Sequence, residues 1–102
     1  MASRLKLHEE LCEILGSKNV YFQPPENIKL NYPCIVYSKS RPDLKRANDS
    51  IYKYTNCYSI IYMDTNPDSD IPDKILYHFP MCGFDRAYTS NNLNHNALTL
   101  YY

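Results

Sequence analysis

Leu7, Leu11, Ile14 and Leu15 recur at the i, i+4, i+7, i+8 spacing of one helix face, while Arg4, Lys6, Glu9, Glu10 and Glu13 mostly fall off it. Residues 3–16 therefore read as an amphipathic helix covering one face of a sheet, with Ser3 as N-cap and Gly16 ending it in the left-handed region. The period then changes to two. Val20–Phe22 is a short β-type run stopped by Pro24 and Pro25, and Pro33–Lys39 reads as a strand with the proline at its first position. Tyr52–Met63 is the longest alternating stretch. Tyr52, Tyr54, Tyr58, Ile60 and Tyr62 fall on one face, and Lys53, Thr55, Cys57, Ser59 and Ile61 on the other. Between these two strands, Ser40–Ser50 has turn formers and charge but little apolar content, so it reads as a loop joining antiparallel neighbours.

Asp64–Asp70 is rich in turn residues and leads into a second helix, with Asp70 as cap, Pro72 in the first turn and Asp73 near the positive end of the dipole. Ile71, Ile75, Leu76 and Phe79 form its apolar stripe, and Pro80 stops it. Gly83–Thr89 and His95–Tyr102 read as two closing strands around Ser90-Asn91-Asn92, with Leu98, Leu100 and Tyr102 on one face. The expected fold is α+β: an antiparallel sheet with an N-terminal helix and a second helix packed on it. The 102 residues fit a single domain, 1–102, with an extended loop at about 39–51.

Composition narrows the function. Eleven basic and eleven acidic side chains cancel, so the overall cationic excess of a nonspecific nucleic-acid binder is missing. No apolar run approaches the roughly 18 residues of a membrane span, and the charged N-terminal stretch is unlike a signal peptide, so neither membrane insertion nor secretion is expected. The spacing of Cys12, Cys34, Cys57 and Cys82 contains no CxxC pair, and the four are expected to be reduced thiols that pack as small hydrophobes.

No constellation points to catalysis, a metal or a cofactor. His8, His78 and His95 form no H-x-x-x-H pair, and the strand expected after His95 does not fit the ββα-metal arrangement of an HNH nuclease. Asp64, Asp68, Asp70 and Asp73 lack the central glycine and closing glutamate of an EF-hand loop. Two glycines argue against a Gly-rich phosphate loop, and no Ser or Cys stands in a nucleophile-elbow context. Asp85 and Arg86, as strand neighbours, point to opposite faces and are each expected to make a salt bridge, within the chain or to a neighbour.

Tyrosine and charge placement remain. Eleven tyrosines without tryptophan suit an interface, since each offers a large rigid body with a polar tip; the alternative is that Tyr stands in for Phe along half-exposed strands. Residues 1–58 carry nine basic and six acidic side chains (+3), and 59–102 two basic and five acidic (−3), a polarity that permits head-to-tail association or simply marks a polarised monomer. Lys39, Arg41, Lys45 and Arg46 form the one local basic cluster. Nucleic-acid binding, docking on an acidic partner and a solvated hairpin tip are all open to it, although no aromatic lies between Ser38 and Ile51 for base stacking.

Three stretches, NVYFQPPENIKLNYPCIVY (19–37), DTNPDSDIPDKI (64–75) and FDRAYTSNNLNHNALTLYY (84–102), together resemble small neck proteins of long-tailed phages and prophages of Gram-positive bacteria. The closest group is the tail-terminator, or tail-completion, family. The similarity covers nearly the whole chain except 38–54. Ala87 departs from the pattern, which leads one to expect His after the Asp-Arg pair.

The resemblance implies a structural virion protein without an active site. It would form a homo-hexameric ring that caps the tail tube and presents a surface to a stopper or other head completion protein. Its place would be the virion neck, assembled in the bacterial cytoplasm, with the genome passing through the channel without specific binding. On this reading Lys39, Arg41, Lys45 and Arg46 contact the tube or the neighbouring ring, while Tyr52, Tyr54, Tyr58, Tyr62, Asp85, Arg86, Tyr101 and Tyr102 contact adjacent subunits. The expected joint is sheet-edge pairing or strand packing through 52–62 and the final strand. Asp64, Asp68 or Asp70 are expected to face the lumen, where tight phosphate binding would obstruct DNA. A head-side adaptor or stopper is the alternative within the class; a small nucleic-acid-binding phage regulator and a phage nuclease are those outside it.

Overall fold

A computed structural model describes residues 4–40 and 56–102. The elements run α1 (Arg4–Leu15), β1 (Val20–Phe22), β2 (Cys34–Ser40), β3 (Cys57–Asp64), α2 (Ile71–His78), β4 (Cys82–Ser90) and β5 (Leu93–Tyr101). The described strands form one sheet in the order β1-β2-β3-β5-β4. The β2–β3, β3–β5 and β4–β5 pairs are antiparallel, as expected, and β1 lies parallel to β2. The fold is α+β, with both helices packed on the sheet.

The period-two pattern decides which side the helices cover. Ile35 and Tyr37 of β2, Tyr58, Ile60 and Tyr62 of β3, and Leu98 and Leu100 of β5 are all essentially inaccessible, and their register places them on one face. Leu7 and Leu11 of α1, Ile75 of α2 and Phe79 just beyond it complete this core, with Ile14, Leu15, Ile71, Leu76 and Tyr102 packed around it. Each fully buried leucine or isoleucine contributes about 2 kcal/mol by leaving water. The opposite face carries Val36, Ile61 and Ala97 in one cross-strand row, all half-buried, with no described helix over it.

Several expectations are corrected in detail. Ser3, the expected N-cap of α1, and residues 52–55, the expected start of β3, lie outside the described residues. Asp70 stands at the N-cap of α2, but its side chain caps nothing. The Ile71 amide donates instead to Ser69 Oγ (3.3 Å), which leaves Asp70 to pair with Lys74 at 3.6 Å. The β4–β5 turn narrows to Asn91-Asn92, both at positive φ (54° and 63°), the mirror-image turn that matches strand twist and that asparagine tolerates.

Gly16 ends α1 at φ +80°, its amide reaching Cys12 O at 2.9 Å. A Cβ there would meet no atom within 4 Å, so substitution is opposed by backbone conformation alone. Gly16→Ala is expected to lower unfolding free energy by about 1 kcal/mol, or roughly 5 °C in Tm, in a thermal melt.

Candidate assembly interface

The residues proposed from sequence for subunit contacts separate into three groups. Tyr58 and Tyr62 are spent inside the protomer, 1% accessible each, which removes them as contact residues. The Tyr62 hydroxyl donates to Asp64 Oδ2 (2.7 Å) and lies 2.9 Å from Ser69 Oγ; burial, with Asp64 accepting that hydrogen bond, pushes it up to about 12. Tyr52 and Tyr54 lie outside the described residues, as do Arg41, Lys45 and Arg46 of the basic loop. Lys39 is exposed near the end of β2, its amide donated to Gln23 Oε1 at 3.1 Å. The edge-pairing expectation for 52–62 and the final strand is also corrected: over the described residues β3 and β5 are each paired on both sides, so neither offers an edge.

Among the described strands the edges belong to β1, three residues long, and β4, nine residues long and exposed along all but its first residue. Asp85 and Arg86 lie on β4, where a bulge sets both of them against Ala97 of β5. The Thr99 hydroxyl donates to Asp85 Oδ2 (2.6 Å), and the Arg86 guanidinium lies 4.9 Å from the centre of the Tyr88 ring. Tyr88 in turn stacks on His95 at 4.7 Å and 15°. Among the described residues neither Asp85 nor Arg86 is ion-paired within the chain, which leaves only the neighbour as a source of the salt bridges expected of them. Exposed Met81 and Phe84 on and beside β4, and Tyr77 on the neighbouring α2, add apolar surface on this side of the molecule.

The three aspartates proposed for the lumen share the β3–α2 turn with different tasks. Asp64 is half-buried and accepts the Tyr62 hydroxyl and the Asn66 amide (3.2 Å), so it shapes the turn; Asp68 is exposed, and Asp70 holds Lys74. Along β2 and β3 this turn lies at the opposite end of the sheet from Lys39 and Ser40, roughly 20 Å away by strand rise.

Tyr101 is half-buried on the face away from the helices. Tyr102 closes the protomer instead of extending from it: its amide donates to Asn56 O (2.8 Å), its ring meets Phe79 edge-on at 5.8 Å, and its hydroxyl donates to Glu10 of α1. Glu10 also holds His78 of α2 at 3.0 Å. Burial pulls the Glu10 carboxyl up, but the hydrogen bonds from Tyr102 and His78, with the His78 and Lys6 charges, outweigh it and leave it below its ordinary value. Burial and the bond to Glu10 push Tyr102 up to about 12. This cluster, which no sequence motif announces, ties both helices to Tyr102, just beyond β5.

All four cysteines are free thiols. Burial pushes Cys34 up to about 11 and raises Cys12 and Cys82, the reverse of what a nucleophilic thiolate needs. Cys12 lines a surface depression of about 450 Å³ with His8, Glu9, Glu13 and Lys18. Among the described residues no group of three or more His, Cys, Asp or Glu is placed to hold a metal ion.

A carboxylate held below its unfolded value stabilises the fold above that value and loses its effect as pH falls through the folded one. Glu10→Gln is expected to cost about 1 kcal/mol near pH 7, since the site is partly solvated. The gap from wild type should shrink below pH 4.5, the ordinary value of the carboxyl, in denaturant melts run across pH. No family model, curated protein or solved structure matches this chain.

Proposed function

We propose that this protein is a structural, non-enzymatic virion component: a tail terminator whose copies form a ring that caps the tail tube and joins it to a head completion protein. The observation that carries the reading is the long exposed edge of β4 within the hairpin that bears its most specific resemblance. Residues 84–102 span most of β4 and all of β5, and β4 leaves one side of its backbone ladder unpaired among the described residues. An unpaired ladder is a ready template for another strand, and so a surface suited to assembly. The other two stretches of resemblance also coincide with structural units, 19–37 with β1 and most of β2, and 64–75 with the turn and first half of α2.

On this reading the protein acts in the virion neck after assembly in the bacterial cytoplasm, with itself, the tube protein and a stopper as partners. The basic loop serves the joint to the tube, and Asp68 and Asp70, exposed on their turn, are the aspartates available to a lumen.

Native mass spectrometry with negative-stain imaging tests this directly. A closed ring near six protomer masses, alone or after mixing with tail tubes, is expected; a protein that stays monomeric in both conditions contradicts the reading. The Arg41→Ala, Lys45→Ala, Arg46→Ala triple variant is expected to form the ring and to lose tail joining in a reconstitution assay. Normal joining by that variant would move the docking surface elsewhere.

A further inference from the structure

Tyr37 of β2 is wholly inaccessible, so its hydroxyl has to be satisfied within the fold. Among the described residues the hydroxyl has two partners, both on α1. Arg4 donates to it from a guanidinium nitrogen at 3.3 Å, and His8 Nδ1 lies 2.8 Å away. A guanidinium only donates, so the hydroxyl proton goes to the lone pair of His8 Nδ1. Burial raises the Tyr37 hydroxyl above its ordinary value, so it keeps that proton to give. The bond fixes His8 as the neutral imidazole with its proton on Nε2. The surroundings hold both partners in place. Phe22 of β1 carries the Arg4 guanidinium 4.3 Å from its ring centre and packs on Tyr37 at 4.9 Å, while the His8 and Tyr37 ring centres stand 5.7 Å apart.

We propose that this contact is a pH-sensitive latch: a proton taken up by His8 Nδ1 breaks it and loosens α1 from β2. Protonated Nδ1 is a donor, and the oxygen it faces already accepts from Arg4. Two cations would then share one hydroxyl, whose own proton would be buried without an acceptor. The charged ring has an alternative. Glu9 and Glu13 line the same surface depression as His8 and attract an imidazolium, with Lys18 opposing them and the Cys12 thiol kept protonated by burial. Turning toward those carboxylates strands the Tyr37 hydroxyl as well. The sheet supplies no compensating charge: Phe22 is apolar, and Tyr58, 6.0 Å from the Tyr37 ring, is kept protonated by burial. On the α2 side, His78 is engaged by Glu10. The fold binds His8 neutral, whereas the unfolded chain is free to take up the proton. The latch therefore stabilises the fold above the imidazole range and is lost as pH falls through it, between about 8 and 5. It needs no second copy and stands apart from the ring reading.

Urea melts at about pH 7.5 and about pH 5.5 test the latch, with His8→Asn beside wild type. Asparagine puts an oxygen acceptor near the place of Nδ1 and does not titrate. His78 and His95 are present in both proteins, so they cancel in the comparison. The unfolding constant of wild type relative to His8→Asn is expected to rise about tenfold at the lower pH. A ratio that is the same at both pH values overturns the latch. Tyr37→Phe removes the hydroxyl that needs the acceptor, so the same comparison made in that background is expected to lose its pH dependence. A tenfold change that survives there places the effect of His8 elsewhere and overturns the proposal. Nitrogen-15 shifts of the wild-type imidazoles decide without any variant, should the variants fail to fold. His8 is expected as the Nε2–H tautomer at the higher pH, and an Nδ1–H tautomer overturns the latch. Amide exchange of the same sample is expected to show protection at Leu11 and Cys12 of α1 falling about tenfold relative to Ile60 and Leu98 of the sheet at the lower pH. Protection in α1 that holds level with the sheet overturns it too.

Discussion

Everything in this fold leans on the apolar face of β3. The strand lies between β2 and β5, and its inward residues Tyr58, Ile60 and Tyr62 are almost wholly inaccessible under the helices. Two of these three are tyrosines, whose hydroxyls must be satisfied if the rings are to be buried. Tyr62 meets this demand with Asp64 and Ser69, the same groups that shape the turn and start α2. In neighbouring β2, Tyr37 does so with Arg4, which donates to it at 3.3 Å, and His8, 2.8 Å away, both on α1. The buried rings thus specify where both helices sit, because a helix displaced by a turn would strand a hydroxyl.

The same economy decides which surfaces stay exposed. Tyr102 and Glu10 are used to lock α1, α2 and the end of β5 together, so Tyr102 is spent inside the chain's own fold. The side chains that β4 and its surroundings leave outward are Arg86 over Tyr88, Tyr88 on His95, and exposed Met81, Phe84 and Tyr77. The hairpin is held on one side by β5 and open on the other, and its register is set within the chain by the Asn91-Asn92 turn and the bulge.

Much of this was legible in the residue order. The helical spacing of Leu7 and Leu11, the alternation through Tyr58, Ile60 and Tyr62, and the shared face of Leu98, Leu100 and Tyr102 are local patterns, and they correctly marked α1, β3, β5 and the buried side of the sheet. The breakers did as well: Gly16 at positive φ ends α1, and Pro80 follows α2. Where local chemistry offered two solutions, the reading failed. Ser69 and Asp70 are both capping types, and the choice fell to Ser69 because its hydroxyl also reaches Tyr62, a contact set by the sheet.

Sequence by itself therefore determined the elements, their apolar faces and the α+β class, since each depends on spacing within a dozen residues. Only the tertiary structure decided strand order, and with it the fate of the tyrosines. A period-two stripe reports that one face is buried; it does not report whether that face meets the chain's own helices or another subunit. Placing β3 and β5 in the interior of the sheet turned Tyr58 and Tyr62 from contact candidates into core and left β4 and β1 at the edges. The Glu10, His78 and Tyr102 cluster belongs to the same category: its members stand 68 and 92 residues from one another's partner in sequence, and only folding brings the three groups together.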